Sequence, residues 1–241
     1  MAEGQLTGLS VVTATRNESE TLPQLIRSLR VTLKGMAHEI IVVDNSDADR
    51  TFEIAKEMAD VAIKRDEPGQ GPALLEGMRK AKYPTIVTID SDMENPPEMI
   101  PSLLERMTSD LDVLVVCRDI IPRLSEELAT ERFRSEIGIS DVFSNYRIYR
   151  SEVPRNLECR LGETFGLEIL VLAKRAGYHI GQTQYHPPPR RSNPRIGGLL
   201  KANLRITWAA AKVASSGRLL AIPLFLWMVL RLAVESFWTL R

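Results

Sequence analysis

Short apolar runs alternate along the first half of the chain with stretches in which apolar residues recur at intervals of three and four. The first kind reads as buried strands and the second as amphipathic helices. Leu9–Ala14 predicts a strand that ends in Thr15-Arg16-Asn17-Glu18. Ser19 or Thr21 can then cap a helix to about Leu33, with Leu22, Leu25, Ile26, Leu29 and Leu33 on one face. Glu39–Val43 predicts a second strand, ending in Asp44-Asn45-Ser46-Asp47, with a helix from about Arg50 to Ala59 behind it. Val61–Lys64, the loop Glu67–Pro72, a helix from about Ala73 to Ala81 and a strand Thr85–Ile89 complete the series. Strands and helices alternating through short loops argue an α/β domain with a mostly parallel, Rossmann-like sheet and helices on both faces. Every polar cluster falls at a strand C-terminus, where open α/β sheets place their ligands.

Further along, Asp112–Cys117 predicts a strand ending at Arg118, followed by a charged amphipathic stretch, Leu124–Ile137, that carries Arg132 and Arg134. Ser140–Arg150 reads as a turn into an edge strand. A helix over Thr164–Ala176 closes at Gly177, and Tyr178–Gln184 predicts a last strand. Glu168, between Leu167 and Ile169, is either that helix's wet face or a buried acid aimed at the site. Pro187–Arg195 excludes regular structure and concentrates Arg190, Arg191 and Arg195; it suits a phosphate ligand, with a solvated basic loop as the alternative. Leu199–Ser215 predicts a basic amphipathic helix with Lys201, Arg205 and Lys212 on one stripe. The tail Leu219–Leu240 is the most apolar part of the chain, interrupted by Arg231 and Glu235. A membrane span would put Arg231 near mid-bilayer at a cost of roughly 2.5–3.5 kcal/mol. Pro223, Trp227 and Trp238 fit an in-plane interfacial helix better, a packed core helix being the plain alternative.

The most informative stretch is Thr85–Glu98. Asp90, Asp92 and Glu94 close behind a buried strand repel one another unless a divalent cation offsets their charge. The competing reading is an acidic turn leading into a proline-led helix at Pro96-Pro97-Glu98. Asp44 can accept from a base N–H or cap the next helix, and spacing leaves both open. Gly69 and Gly71 can bring backbone close to a ribose or phosphate or simply form a loop. Lys+Arg and Asp+Glu are both 31, so the zero net charge gives no case for nucleic acid, and any anion binding must be local. The 241 residues suffice for one substantial core with a small appendage. Cys117 and Cys159 lack metal-ligand spacing and suit a reducing compartment. Met1–Gly8 lacks the basic and apolar regions of a signal peptide, so a cytosolic start is expected.

These residues resemble the family-two glycosyltransferases, and within them the polyprenol-phosphate (dolichol-phosphate) mannosyl- and glucosyltransferases. The likeness runs from about Leu9 to Arg195. Its markers are Asn17-Glu18, Asp44 with Asp49-Arg50-Thr51, Gly69-Gln70-Gly71 with Gly77, Arg118, and Asp141 with Ser144-Asn145-Tyr146-Arg147. The most specific is Asp90-Ser91-Asp92-Met93-Glu94-Asn95-Pro96-Pro97-Glu98, similar to that subfamily's Asp-x-Asp-x-Gln-x-Pro-Pro-Glu signature. Ala14, Arg16, Asn45 and Glu94 depart from the usual proline, tyrosine, aspartate and glutamine, and the stretch from Arg118 to Asp141 is short. The resemblance implies an A-type glycosyltransferase fold over residues 1–196 and C-terminal membrane-associating helices over 197–241. It implies a metal-dependent hexosyltransferase using a GDP-mannose or UDP-glucose type donor and a polyprenyl or dolichyl phosphate acceptor at the cytosolic membrane face. Asp90, Asp92 and Glu94 would hold Mn2+ or Mg2+. Ala14, Arg16, Glu18, Asp44, Gly71, Asp90, Ser91, Arg190 and Arg191 would bind the donor. Arg118, Arg132 and Arg134 would meet the acceptor phosphate, and Asp90, Asp92, Arg118 and Asp141 would serve catalysis. A non-lipid acceptor and a non-catalytic nucleotide-binding protein at the membrane are the alternatives.

Overall fold

β1 (Leu9–Thr15) pairs in parallel with β2 (His38–Asp44) along its whole length and with β4 (Thr85–Thr88) on its other side, and β3 (Val61–Lys64) pairs with β2. The fold is a computed structural model, which describes residues 8–161, 166–187, 199–217 and 219–239. Both faces of these strands are apolar because helices cover both. Val11, Ile40 and Val42 pack on one side with Leu22, Leu25, Ile26 and Leu29 of α1 (Leu22–Thr32), and α2 (Thr51–Met58) adds Ala55 there. Val12, Ile41 and Val43 pack on the other side with Leu74 and Met78 of α3 (Gln70–Lys80). α3 lies so close that a Cβ on Gly77 would stand 2.5 Å from Val12 Cγ1 and 2.9 Å from Val43 Cγ2. Gly→Ala inside a helix ordinarily stabilises by roughly 1 kcal/mol. Gly77→Ala should instead cost about 1–3 kcal/mol in a denaturant titration, because the new methyl overpacks the seam.

The second half adds α4 (Ile100–Arg106), β5 (Val113–Arg118), α5 (Leu124–Ile137), β6 (Arg147–Arg150), α6 (Glu152–Asn156), α7 (Leu167–Arg175) and β7 (Ile180–Tyr185). The seven strands run in the order β3-β2-β1-β4-β6-β5-β7. β6 corrects the expectation of an edge strand: it lies inside the sheet, antiparallel to both β4 and β5, and the edges are β3 and β7. Its terminal arginines disguise this place. Arg147 is 1% exposed, and its guanidinium donates to the carbonyls of Val142, Ser144 and Gly166 and to Tyr149 Oη. Arg150 donates to the carbonyls of Thr108, Ser109 and Leu111. The reversed direction carries residues 141–146 to the C-terminal ends of β4 and β5.

α8 (Leu199–Ala214) and α9 (Ala221–Thr239) form a hairpin on the outside of α5. Ile206, Ala210, Val213 and Met228 join the same core cluster as Phe133 and Ile137. Ser125 Oγ donates to Asn203 Oδ1 at 2.7 Å. Arg231 pairs with Glu131 of α5 at 3.0 Å and with Glu235 at 2.9 Å. Among the described residues, no helix is long and apolar enough to cross a membrane. α9 nonetheless turns Ile222, Leu226, Trp227, Leu230 and Val234 to the outside, continuing Leu219 and Leu220.

Candidate active site

The acidic motif stands at the end of β4, where the Ile89 N–H still bonds Val12 O at 3.1 Å. Asp90 accepts from Gln70 Nε2 on one oxygen at 2.5 Å and from Asn95 Nδ2 on the other at 3.0 Å. Asp92 Oδ1 accepts the Glu94 N–H at 3.0 Å, closing a tight loop in which Met93 takes φ 63°. A left-handed non-glycine residue is costly and recurs where a site needs a particular chain reversal. Burial, and next the negative charge of Asp92, push the Asp90 carboxyl up to about 7, with Glu94 adding to the push and the Asn95 hydrogen bond and Arg118 opposing it. Glu94 is therefore near. Among the described residues, however, no three His, Cys, Asp or Glu side chains form a metal-holding group, so the expected three-carboxylate cluster is not preassembled.

The raised Asp90 value has a consequence for stability. The folded chain keeps a proton on Asp90 that the unfolded chain, at the ordinary 3.8, has released. Without metal, stability therefore falls as pH rises from 3.8 to about 7, and the penalty is complete above that. Asp92→Asn removes one cause of the shift and keeps the acceptor for Glu94. It should be more stable than the wild type at pH 8 in EDTA, the difference vanishing near pH 4, as read by urea midpoints.

Arg118 ends β5 facing this motif. Its Nε donates to Asp141 Oδ2 at 2.6 Å, and its Nη2 donates to Asp141 Oδ1 at 3.0 Å and Glu126 Oε2 at 2.8 Å. Burial disfavours the charge, but the Asp141 hydrogen bonds and the two carboxylates outweigh it and raise the guanidinium's pKa. Glu126 also pairs with Arg123 at 2.5 Å. Asp141 is 0% exposed, and its two oxygens take Arg118 together with the N–H groups of Phe143 and Ser144. It holds the arginine and the turn. Arg132 and Arg134 are exposed and lie about 200° apart around α5. Arg132 lines a cavity of about 250 Å³ against Trp227 and Arg231.

On the β1–β2 side, Ser91 Oγ donates to Ala14 O at 3.3 Å, tying the motif to the end of β1. Asp44 is fully buried and accepts from Thr15 Oγ1, Ser46 N, Ser46 Oγ and Lys64 Nζ. It does not cap α2; Asp49 accepts the Thr51 N–H instead. Glu18 is buried and accepts from Thr21 Oγ1, while Arg16 reaches outward to pair with Asp47 at 3.3 Å. Gly71 is buried in the first turn of α3, one residue past Gln70. Glu168 is a buried acid and not the helix's wet face, and it accepts the Arg160 and Leu161 N–H groups. It borders a cavity of about 520 Å³ with Arg65, Gly71, Glu76 and Arg79. Arg190 and Arg191 fall outside the described residues.

Sequence reasoning missed three contributors. Gln70 and Asn95 carry no charge, so nothing in composition marks them, although both sit inside quoted motifs. Tyr185, the last residue of β7, donates to Asn95 Oδ1 at 2.6 Å. Only the pairing of β5 with β7 brings it there.

A seven-stranded, mostly parallel sheet with one antiparallel inner strand and an acidic motif at the end of β4 is the A-type glycosyltransferase fold. Glucosyl-3-phosphoglycerate synthase from Mycobacterium tuberculosis, in complex with Mn2+, uridine diphosphate and glucosyl-3-phosphoglycerate, shares it with a TM-score of 0.72 at 22% identity, over 87% of this chain and 79% of that one. The chain belongs to glycosyl transferase family 2, whose family model matches residues 10–160, and it is a glycosyltransferase. It is 29% identical to an undecaprenyl-phosphate 4-deoxy-4-formamido-L-arabinose transferase of Pseudomonas paraeruginosa, over 95% of this chain and 76% of the relative. It is 29% identical to a dolichyl-phosphate hexose transferase of Haloferax volcanii, over 76% and 83%. A dolichol-phosphate mannosyltransferase of Pyrococcus furiosus matches at 34%, over 46% of this chain and 33% of its own length.

Proposed function

We propose that the chain transfers a single hexose from a nucleoside diphosphate sugar to a polyprenyl or dolichyl phosphate. The observation that carries this reading is Arg118, a guanidinium locked by Asp141 and Glu126 at the strand ends beside the Asp90–Asp92 motif. A fixed cation next to an acidic motif suits two phosphate groups meeting there, the donor's on the acids through a metal and the acceptor's on the arginine. The lipid-phosphate relatives support the acceptor class.

The donor set fits a hard divalent cation, Mn2+ or Mg2+: two adjacent carboxylates whose mutual repulsion a cation relieves. Such ions bind through one or two carboxylates with substrate phosphates completing the shell, so Asp90 and Asp92 suffice and Glu94 adds field. When bound, the ion offsets the charge that builds on the departing nucleoside diphosphate. Gln70 and Asn95 orient Asp90 for this, and the first turn of α3 offers backbone N–H groups to the diphosphate. Ala14, Glu18, Asp44 and Ser91 line the donor side, with Arg190 and Arg191 placed there by the resemblance alone. Arg118 meets the acceptor phosphate. A phosphate monoester is largely ionised near neutral pH, its second pKa being about 6, so the attacking oxygen needs no strong base.

In this reading residues 1–196 carry the chemistry, and residues 197–241 associate with the membrane, α9 laying its apolar ridge on an anionic lipid surface at the cytosolic face. α8 carries the exposed Lys201 and Arg205 for such a surface, and its Trp208 ring meets Phe225 of α9 at 5.4 Å. The test is transfer of radiolabelled sugar from a panel of UDP- and GDP-sugars to a polyprenyl phosphate, with Mn2+ or with EDTA. Metal-dependent label in the organic phase is expected. Donor hydrolysis without lipid labelling moves the acceptor elsewhere, and no donor consumption sinks the reading.

A further inference from the structure

Asp90 is gripped at both oxygens by neutral donors, and one of those donors is itself held from the edge of the sheet. Gln70 Nε2 stands 2.5 Å from Oδ1, and Asn95 Nδ2 stands 3.0 Å from Oδ2. The Asn95 amide in turn accepts the Tyr185 hydroxyl at 2.6 Å. The NH2 of Asn95 faces Asp90 and its Oδ1 faces Tyr185, whose hydroxyl donates; with a cation bound Asp90 is ionised and can only accept, which fixes that orientation. Asn95 is 5% and Tyr185 8% exposed, so the chain of bonds is sheltered from competing solvent. Tyr146 braces it from the side: its ring meets that of Tyr185 edge-on at 6.3 Å, and its hydroxyl donates to Pro96 O at 3.0 Å.

Neutral donors orient a carboxylate without cancelling the charge a cation needs, whereas a lysine or arginine there would compete for it. We propose that Tyr185 is a positioning residue for the divalent cation, locking the Asn95 amide so that Asp90 presents a fixed pair of oxygens to the ion. The proposal rests on the reading of Asp90 and Asp92 as metal ligands. Without the hydroxyl, the amide is free to rotate and turn its oxygen toward the carboxylate, which repels it. Tyr185 is far from the acidic motif in sequence, and three residue types act in series, the pattern of outer groups that tune a metal ligand.

The experiment is Mn2+ titration of the full chain, followed by the electron paramagnetic resonance signal of free Mn2+. The variants are Tyr185→Phe, Asn95→Ala, their double, and Tyr149→Phe, which removes another buried hydroxyl, one bonded to Arg147 at 3.1 Å. Melting temperatures in EDTA are recorded alongside to separate folding defects. Tyr185→Phe should raise the Mn2+ dissociation constant about 10–100-fold, the range for lost outer-shell partners. Asn95→Ala should do the same, the double variant should add nothing further, and Tyr149→Phe should bind as the wild type does. Wild-type affinity in Tyr185→Phe, a loss matched by Tyr149→Phe, or additive losses in the double variant each overturn the relay. A wild type that binds no Mn2+ overturns the metal reading and the relay together. A wild type that binds Mn2+ and obeys the cycle yet transfers no sugar overturns only the proposed reaction.

Discussion

Asp92→Ala should lower sugar transfer by about 10²–10⁴-fold at saturating donor and acceptor while the chain stays folded. The range follows from the several kcal/mol of transition-state charge stabilisation that a bound cation supplies, at 1.36 kcal/mol per tenfold in rate. Asp92 is half-buried and its described hydrogen bond is the local one to the Glu94 N–H, so truncation removes charge without opening the core. Excess Mn2+ should recover little, because Asp90 alone offers one carboxylate to the ion. Steady-state transfer measured beside a melting curve checks both halves. Full activity in a folded Asp92→Ala chain would sink the metal assignment.

Arg118→Ala should damage stability as well as activity. Asp141 is 0% and Glu126 4% exposed; removing their shared partner leaves Asp141 without its cation and Glu126 with Arg123 alone. Breaking one side of a buried pair costs roughly 3–5 kcal/mol, a shift readable in a urea titration. Arg118→Lys separates the two effects. It keeps a charge but loses the planar fork that meets Asp141 through Nε and Nη2 and reaches Glu126 through Nη2. That variant should hold more of the stability while the Michaelis constant for the lipid phosphate rises by about tenfold or more, given the 1.5–3 kcal/mol of a charged hydrogen bond. An unchanged acceptor constant in a folded Arg118→Lys chain would move the acceptor phosphate away from this residue.

Much of this architecture was legible along the chain because its first half obeys local rules. Val11–Val12, Ile40–Val43 and Ile86–Val87 announce buried strands, and Leu22, Leu25, Ile26 and Leu29 announce a helix with one apolar face. The Asp90–Glu98 run identified the family through residue identity, before any geometry was known. The sequence suggests an edge strand where the fold places β6, with Arg147 and Arg150, inside the sheet. In the fold their charges are absorbed by backbone carbonyls of chain segments that only tertiary packing brings near.

By itself the sequence determined the alternation of strands and helices, the acidic motif at the end of β4, the arginine at the end of β5 and the mixed apolar and basic character of the tail. These are set by local pattern, which a window of a few residues contains. Only the tertiary structure decided that Asp141 is consumed in holding Arg118, that Arg231 pairs with Glu131, and that Tyr185 reaches Asn95. Each of these depends on strand order and helix packing between residues distant in sequence. Burial then fixes which polar partner satisfies which group, and no local pattern encodes that choice.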